Sequence, residues 1–170
     1  TGAWCYYNND PNEAVLYNYW AIIGKHDNID STPLKQFAPE GWHVPQLQEW
    51  VNLKSDLAAF GYSFDGDLFG TQLAKAMTST SGWTSSDILG TPGNDQSANN
   101  STGFNALPTG WRRWQDNLWF ERKGDFSCFW AIDVFAEPAV FYFRWDSEEI
   151  LDGPFARNFG LTVRLVRDEP

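Results

Sequence analysis

A helix with one apolar face is the element that most constrains this fold, and the sequence places it between Ala38 and Gly61. Apolar side chains recur there at spacings of three and four residues, which aligns them along one side of a helix. They are Leu47, Trp50, Leu53, Leu57 and Phe60. Pro45 suits the first turn of a helix and Gly61 suits its end. We therefore expect about four helical turns that cover a core rich in tryptophan.

Aromatic residues are numerous enough to supply that core. The 170 residues include ten Trp, thirteen Phe and six Tyr, together with 14 Gly and 9 Pro. Aromatic residues favour strands, and frequent turn residues divide strands into short pieces. We expect one α+β domain over 1–170, with two main helices, short antiparallel β-sheets and long loops. Most aromatic side chains should lie in the core, and a minority should serve recognition.

The remaining patterns predict further elements in chain order. Helical spacing indicates a short helix over 13–23 and one or two turns around 73–77. Strands are predicted at 4–7, 118–121, 125–132, 140–145 and 161–167. The polar stretch 79–102, interrupted by Trp83 and Ile88-Leu89, is a long loop for a compact domain. Such a loop usually has a function or is mobile.

The charge of the chain argues against two classes of partner. The net charge is −10, from 22 acidic and 12 basic residues. Nucleic acids and anionic membranes both reward clustered Lys and Arg, and Arg112-Arg113 is an isolated pair. No apolar run is long enough to span a bilayer, so no direct membrane insertion is expected. The opening residues do not resemble a signal peptide, as in a mature or trimmed chain.

Two cysteines, Cys5 and Cys128, leave two alternatives open. As a disulfide they would close a long loop, worth about 4 to 5 kcal/mol on the chain-entropy model. As separate buried thiols they would only fill the core. A composition of the kind found in exported proteins favours the bridge slightly. The absence of a Cys-x-x-Cys pair, with only two His, argues against a zinc site.

Several blocks of sequence, taken together, resemble a known family. The blocks are 4–10, 16–20, 38–45 with Glu49-Trp50, 103–110, Phe129-Trp130 and 160–168. Their order and spread are similar to those of the Fibrobacter succinogenes major paralogous domain, found in many exported bacterial proteins. The resemblance implies a C-type lectin-like fold, a location outside the cell or on its surface, and no general catalytic activity. Family members usually begin with a strand segment ahead of the first block, which this sequence does not contain.

The segment that follows Phe129-Trp130 departs from the family pattern. Members usually continue with a polar run, whereas this chain is apolar and aromatic over 131–157. Some C-type lectin-like proteins of diversity-generating retroelements vary this region to make new ligand sites, and 131–157 resembles such a face. The alternative is ordinary drift within a β-meander. The residues expected to bind a ligand are Ala131, Ile132, Asp133, Phe135, Glu137, Phe141, Phe143, Trp145, Asp146, Glu148, Phe155 and Arg157.

The sequence contains no convincing catalytic or metal-binding motif, so neither an enzyme nor a cofactor is expected. Calcium needs six to eight oxygens; the acids that could contribute are Asp65, Asp67, Asp146, Glu148 and Glu149. The lectin motifs for calcium-dependent sugar binding are not matched by Glu137-Pro138-Ala139 or Trp145-Asp146-Ser147. His43 is interpreted as a hydrogen-bonded structural residue. Chemistry like that of formylglycine-generating enzymes needs paired thiols, and Cys128 stands alone.

Two functional hypotheses follow, from different classes. The first is a binding module that recognises a protein or a glycan through loops 79–102 and 131–157, since loops on a rigid scaffold often carry recognition. The second is a structural or assembly domain of a larger surface protein. An enzyme related to formylglycine-generating enzymes is the least favoured interpretation.

Overall fold

One long antiparallel hairpin near the end of the chain organises the fold. The computed structural model describes residues 1–66, 71–113, 119–133 and 137–168. Their helices are α1 (Tyr19–Ile22), α2 (Leu47–Ala59) and α3 (Ala74–Met77), with 3-10 turns at Tyr7–Asn9 and Gln96–Ala98. Their strands are β1 (Trp4–Tyr6), β2 (Val15–Tyr17), β3 (Trp42–His43), β4 (Trp111–Arg113), β5 (Trp119–Glu121), β6 (Phe126–Ile132), β7 (Pro138–Arg144), β8 (Leu151–Gly153) and β9 (Val166–Arg167). The pairs β1–β2, β3–β9 and β4–β5 and the sheet β6-β7-β8 are all antiparallel.

This mixture of few helices and small antiparallel sheets confirms the expected α+β class. The predicted strands at 4–7, 125–132 and 140–145 correspond to β1, β6 and β7. The strand predicted at 118–121 corresponds to β5, and its first residue lies outside the described residues. Within the described ranges, no helix combines the length and the apolarity needed to cross a membrane.

The hairpin β6–β7 separates two hydrophobic cores. The two strands pair along their whole length, from Phe126 opposite Arg144 to Ile132 opposite Pro138. Successive side chains of a strand point to opposite faces. Phe129, Phe141 and Phe143 enter a core formed with α2 and α3, which we call the α2-side core. Cys128, Trp130 and Val140 enter a second core formed with α1, the α1-side core. The sheet is therefore buried on both faces.

Helix α2 is confirmed, with corrections at both ends. It begins at Leu47, so Pro45 precedes the helix instead of occupying its first turn. The backbone N–H of Gln46 donates to Glu49 Oε2 at 2.7 Å, which caps the start. At the other end, Phe60 is 80% exposed and takes no part in the core. The reversal at Gly61 (φ +81°) ends the helix, so its apolar stripe stops at Leu57.

The helix predicted over 13–23 was wrong in its first half. Residues Val15–Tyr17 form β2, which pairs with β1 and places Leu16 opposite Cys5. The Asn18 side chain accepts the backbone N–H of Ala21 and so begins α1 only after the strand. The helical spacing of apolar residues was thus produced by a strand and one helical turn in succession.

The residues predicted as one strand at 161–167 pair with three different segments. Leu161 and Thr162 form single bridges to Tyr17 and Phe129, and only Val166–Arg167 pairs as a strand, with β3. The segment passes from one sheet to the next, so its pairing changes partner.

A buried lysine holds the long loop 79–102 in place. Lys75 is 8% exposed, and its ammonium donates to the carbonyls of Asn94 and Asp95 and to Asn99 Oδ1 at 3.0 Å. The Asn99 amide in turn donates to the carbonyls of Ser79 at 2.9 Å and Pro92 at 3.0 Å. Burial lowers the pKa of Lys75. These bonds satisfy main-chain carbonyls inside the loop, which explains how so polar a segment packs on the core.

The disulfide expected between Cys5 and Cys128 is wrong, since both cysteines are free thiols. Cys5 lies in β1, which pairs with β2, whereas Cys128 lies in the middle of β6 and faces the α1-side core. Full burial raises the pKa of the Cys128 thiol. Cys128 therefore behaves as a small apolar core residue.

Candidate functional site

Three of the residues expected to bind a ligand lie inside the α2-side core. Ala131, Phe141 and Phe143 have 0%, 1% and 0% of their surface exposed. The run of aromatic residues over this region belongs to strands buried on both faces, which carry apolar side chains on both sides. These three side chains therefore lie beneath the protein surface, where a ligand does not reach them.

The other expected residues divide between the two ends of β7 and one face of the sheet. Ile132, Asp133, Glu137 and Arg157 lie at the end where β6 turns into β7, and Trp145, Asp146 and Glu148 follow the far end of β7. Phe155 packs at the α1-side core against Trp111, Tyr142 and Phe159. Phe135 lies outside the described residues. Seven residues of strand separate the two ends by about 20 Å, so 131–157 does not form one continuous face.

At the turn end, the polar groups are occupied by one another. Arg157 pairs with Glu137, and its guanidinium carbon lies 5.2 Å from the ring centre of Trp20. The Asp133 carboxylate accepts the backbone N–H of Glu137 at 2.7 Å. Burial raises the pKa of nearby Tyr19 to about 12. These contacts hold the turn against α1 and leave few groups for a ligand.

At the opposite end, backbone hydrogen bonds join the loop that follows β7 to three other segments. The Trp145 N–H donates to the Asp125 carbonyl at 2.9 Å, and the Trp145 carbonyl accepts from the Gly93 N–H at 2.8 Å. The Glu148 carbonyl accepts from the Ala74 N–H at 2.9 Å. The loop that follows β7 is therefore joined both to the long loop 79–102 and to α3.

Two side chains from separate segments meet over Gly90. A Cβ at this position would lie 2.7 Å from Phe64 Cδ1 and 3.2 Å from Glu148 Cγ, and the φ of +80° also requires glycine. Beside them, Phe64, Ile88 and Leu89 are 47%, 53% and 66% exposed. We call Phe64, Ile88, Leu89, Trp145 and Glu148 the loop-end surface.

The sequence identified two of the five residues of this surface. Trp145 and Glu148 were expected, whereas Phe64 was missed and Ile88-Leu89 were noted only as an interruption of a polar loop. An apolar pair inside a polar loop is the signal that could have found them. Trp83, which also interrupts this polar loop, is buried, and its indole N–H donates to Ser79 Oγ at 3.1 Å.

Acidic side chains surround the loop-end surface without forming a metal site. Asp65, Asp87 and Glu149 are exposed near it. Asp146 forms a double hydrogen bond with the Arg144 guanidinium, at 3.0 and 2.9 Å. Among the residues that the structure describes, no group of three or more His, Cys, Asp or Glu could hold a metal ion. Asp67, considered for calcium, lies outside the described residues.

The structural role predicted for His43 is confirmed. Its Nδ1 lies 2.6 Å from Asp168 Oδ1, and its Nε2 lies 2.8 Å from Glu49 Oε1. The Asp168 and Glu49 carboxylates, which accept hydrogen bonds from the ring, raise the pKa of His43. The imidazole thereby links β3, the start of α2 and the end of the chain, and both its nitrogens are occupied.

The contribution of His43 to stability should depend on pH. Because its pKa is raised in the folded state, the contribution is fully present below the unfolded pKa of about 6.5 and is lost as the pH rises through the folded pKa. We expect His43→Gln to reduce the free energy of unfolding by about 1 kcal/mol or less at pH 6, since the side chain is partly exposed, and by less at pH 9. Urea unfolding at both pH values measures the difference. His26→Gln is the matched control, and equal losses at pH 6 and pH 9 for His43→Gln would contradict the prediction.

Comparison with known proteins gives one match. A family model described as the Fibrobacter succinogenes major domain matches residues 1–167, a range that includes both cores and the loop-end surface. No curated protein and no solved structure matched the chain. The resemblance drawn from the sequence blocks is confirmed.

Proposed function

Because the chain belongs to the Fibrobacter succinogenes major domain family, we propose that it is a non-catalytic binding module of an exported or cell-surface bacterial protein. In this proposal the domain has a C-type lectin-like fold, and its loops recognise a protein partner through the loop-end surface. One observation carries the proposal: large apolar side chains from two separate segments, Phe64 and Ile88-Leu89, are exposed together beside Glu148.

The chemistry of the surface favours a protein with a basic rim. Grouped apolar side chains on a protein surface mark interaction sites, and aromatic anchors carry much of the binding energy. Asp65, Asp87, Glu148 and Glu149 add negative charge around the apolar centre. Complementary Lys and Arg residues on a partner would speed its association and select it over acidic proteins.

The surface is also well prepared for binding, because its loops are already ordered. The Lys75 network holds 94–99, and the Gly93–Trp145 hydrogen bond joins that loop to the end of β7. A surface held in this way loses little conformational entropy when a partner binds. Loops that a rigid scaffold positions in this manner commonly carry recognition.

The contacts of His43 and Cys128, the residue types here most often used in catalysis, support a non-catalytic role. His43 has a carboxylate at each ring nitrogen. Cys128 is enclosed in the α1-side core, and burial raises its pKa, which disfavours the reactive thiolate. Chemistry like that of formylglycine-generating enzymes would need such a thiol in an accessible position.

An array of bacterial surface proteins, with a glycan array beside it, tests the proposal. We expect saturable binding to at least one protein, and at least tenfold weaker binding after Phe64→Ser combined with Leu89→Ser. Titration of the captured protein by surface plasmon resonance gives the affinities. Ile29→Ser combined with Leu34→Ser is the control, since these side chains are 60% and 65% exposed in a different loop.

Two outcomes would contradict the proposal. If both double variants bind the captured protein equally well, the loop-end surface is not the contact. If neither array shows saturable binding, the result favours the alternative role as a structural or assembly domain within a larger surface protein.

A further inference from the structure

A concave site lies near Thr1 and β1, and it shares no residue with the loop-end surface. Its volume is about 360 Å³, within the usual range for small-molecule pockets. We call it the N-terminal pocket. Its lining residues are Thr1, Ala3, Trp4, Cys5, Leu16, Asn18, Trp20, Arg112, Asn158 and Gly160.

Arg112 is the only charged side chain among the described residues that line this pocket. Its backbone is fixed by two hydrogen bonds with Gly160, at 2.9 and 2.8 Å. The guanidinium carbon lies 5.6 Å from the ring centre of Phe120, which shields one side of it. Its Nε atom is buried and has no hydrogen-bond partner among the residues that the structure describes. The residue therefore keeps unused hydrogen-bonding capacity beside an open pocket.

Within the described residues, Arg112 is an arginine without a counter-charge. Arg122, Arg144 and Arg157 each pair with an Asp or a Glu. No carboxylate in the described part of the chain forms an ion pair with Arg112, although acidic residues outnumber basic ones by 22 to 12. Removing a cation from water without a partner is unfavourable. An anion that enters the pocket would therefore form a strong, charge-assisted hydrogen bond with the Arg112 guanidinium.

The walls of the pocket indicate what else the anion carries. Trp4 and Trp20 offer flat apolar surfaces, and Trp4 is 60% exposed. Asn158 is exposed and offers an amide donor and acceptor at the rim. Arg157 and Lys25 lie over the Trp20 ring at 5.2 and 5.7 Å, and each is paired with a carboxylate, so Arg112 is the charge that an anion in the pocket would meet. A ring with an apolar face, several hydroxyls and one carboxylate matches these three features.

We propose that the N-terminal pocket binds an acidic sugar, with the sugar carboxylate on the Arg112 guanidinium. The planar guanidinium suits a bidentate contact with a carboxylate. The sugar ring lies against a tryptophan, and its hydroxyls bond to Asn158. This site is independent of the proposed protein contact, so either assignment can fail without the other.

Titrations with glucuronate and glucose test the site, with tryptophan fluorescence and calorimetry as readouts. We expect saturable glucuronate binding with a millimolar or tighter Kd, weakened by added salt. Glucose, which lacks the carboxylate, should bind at least tenfold more weakly. Arg112→Gln should cause a similar tenfold loss and leave thermal unfolding nearly unchanged, because the guanidinium has no carboxylate partner to lose.

Arg113→Gln is a closely matched control. It removes the same charge one residue further along β4. The Arg113 side chain is exposed and lies on the opposite face of the strand from Arg112. We expect glucuronate affinity to change less than twofold in this variant. Asn158→Ala is a second variant within the pocket, and it keeps the test valid if Arg112→Gln fails to fold.

Four results would overturn the proposal. They are absence of saturable glucuronate binding, equal affinity for glucose, equal losses in Arg112→Gln and Arg113→Gln, and equal affinity for phenylacetate. The last compound has a carboxylate and a flat ring without hydroxyls, so its equal binding would exclude a site for sugars.

Discussion

Replacing Trp50 with alanine should reduce the free energy of unfolding by about 3–5 kcal/mol. Trp50 is only 3% exposed, and its ring stacks on Phe141 with centroids 4.9 Å apart and an interplanar angle of 13°. Phe104 and Phe129 lie against the same indole at 5.7 and 5.8 Å. Removal of the ring would leave a large cavity between α2 and the central hairpin, which the surrounding aromatic side chains cannot close. Urea unfolding followed by circular dichroism measures the loss.

Val51→Ala is the control, since Val51 is the next residue of α2 and is 46% exposed. It should change the free energy of unfolding by about 0.5 kcal/mol or less. Trp50→Phe should cost less than Trp50→Ala, because the indole Nε1 has no hydrogen-bond partner within the described ranges of the chain. Similar losses for Trp50→Ala and Val51→Ala would show that α2 does not cover the core as described.

Replacing Lys75 with methionine should cost about 2–3 kcal/mol, the scale of hydrogen bonds to a charged group. The ammonium binds the carbonyls of Asn94 and Asp95 and the side chain of Asn99. Methionine fills similar space but leaves these three acceptors without their donor. Amide hydrogen exchange should accelerate over 79–102, and urea unfolding should report the loss of stability.

Lys35→Met is the matched substitution, because Lys35 is exposed in a loop. It should leave both the unfolding transition and the exchange rates of 79–102 nearly unchanged. If Lys75→Met accelerates exchange equally throughout the protein, Lys75 supports the whole fold and does not specifically hold the loop.

Local patterns predicted those elements whose structure depends on their own sequence. Helix α2 was found because the apolar spacing and the terminating glycine both lie within one segment. The prediction of a helix over 13–23 was wrong in its first half because Leu16 pairs with Cys5 in a sheet. No local pattern reveals this pairing. Tertiary pairing can override a local helical period.

The candidate site was harder to predict than the fold, because tertiary contacts create it. The aromatic run over 131–157 indicated a binding face, yet Phe141 and Phe143 are core residues, and the exposed positions lie outside β6 and β7. Phe64 joins Glu148 only because Gly90 allows both to approach. If relatives vary over 131–157, as the retroelement resemblance predicts, we expect the changes at exposed positions such as Glu149 and Glu137.

The way in which Lys75 holds its loop has a consequence for evolution. The ammonium binds main-chain carbonyls at Asn94 and Asp95, and every residue type supplies a main-chain carbonyl. The position of the loop is therefore largely uncoupled from the identity of its exposed side chains. Ile88 and Leu89 can be exchanged for other residues at little cost in folding. A single buried lysine thus allows descendants of this domain to acquire new specificities on an unchanged backbone.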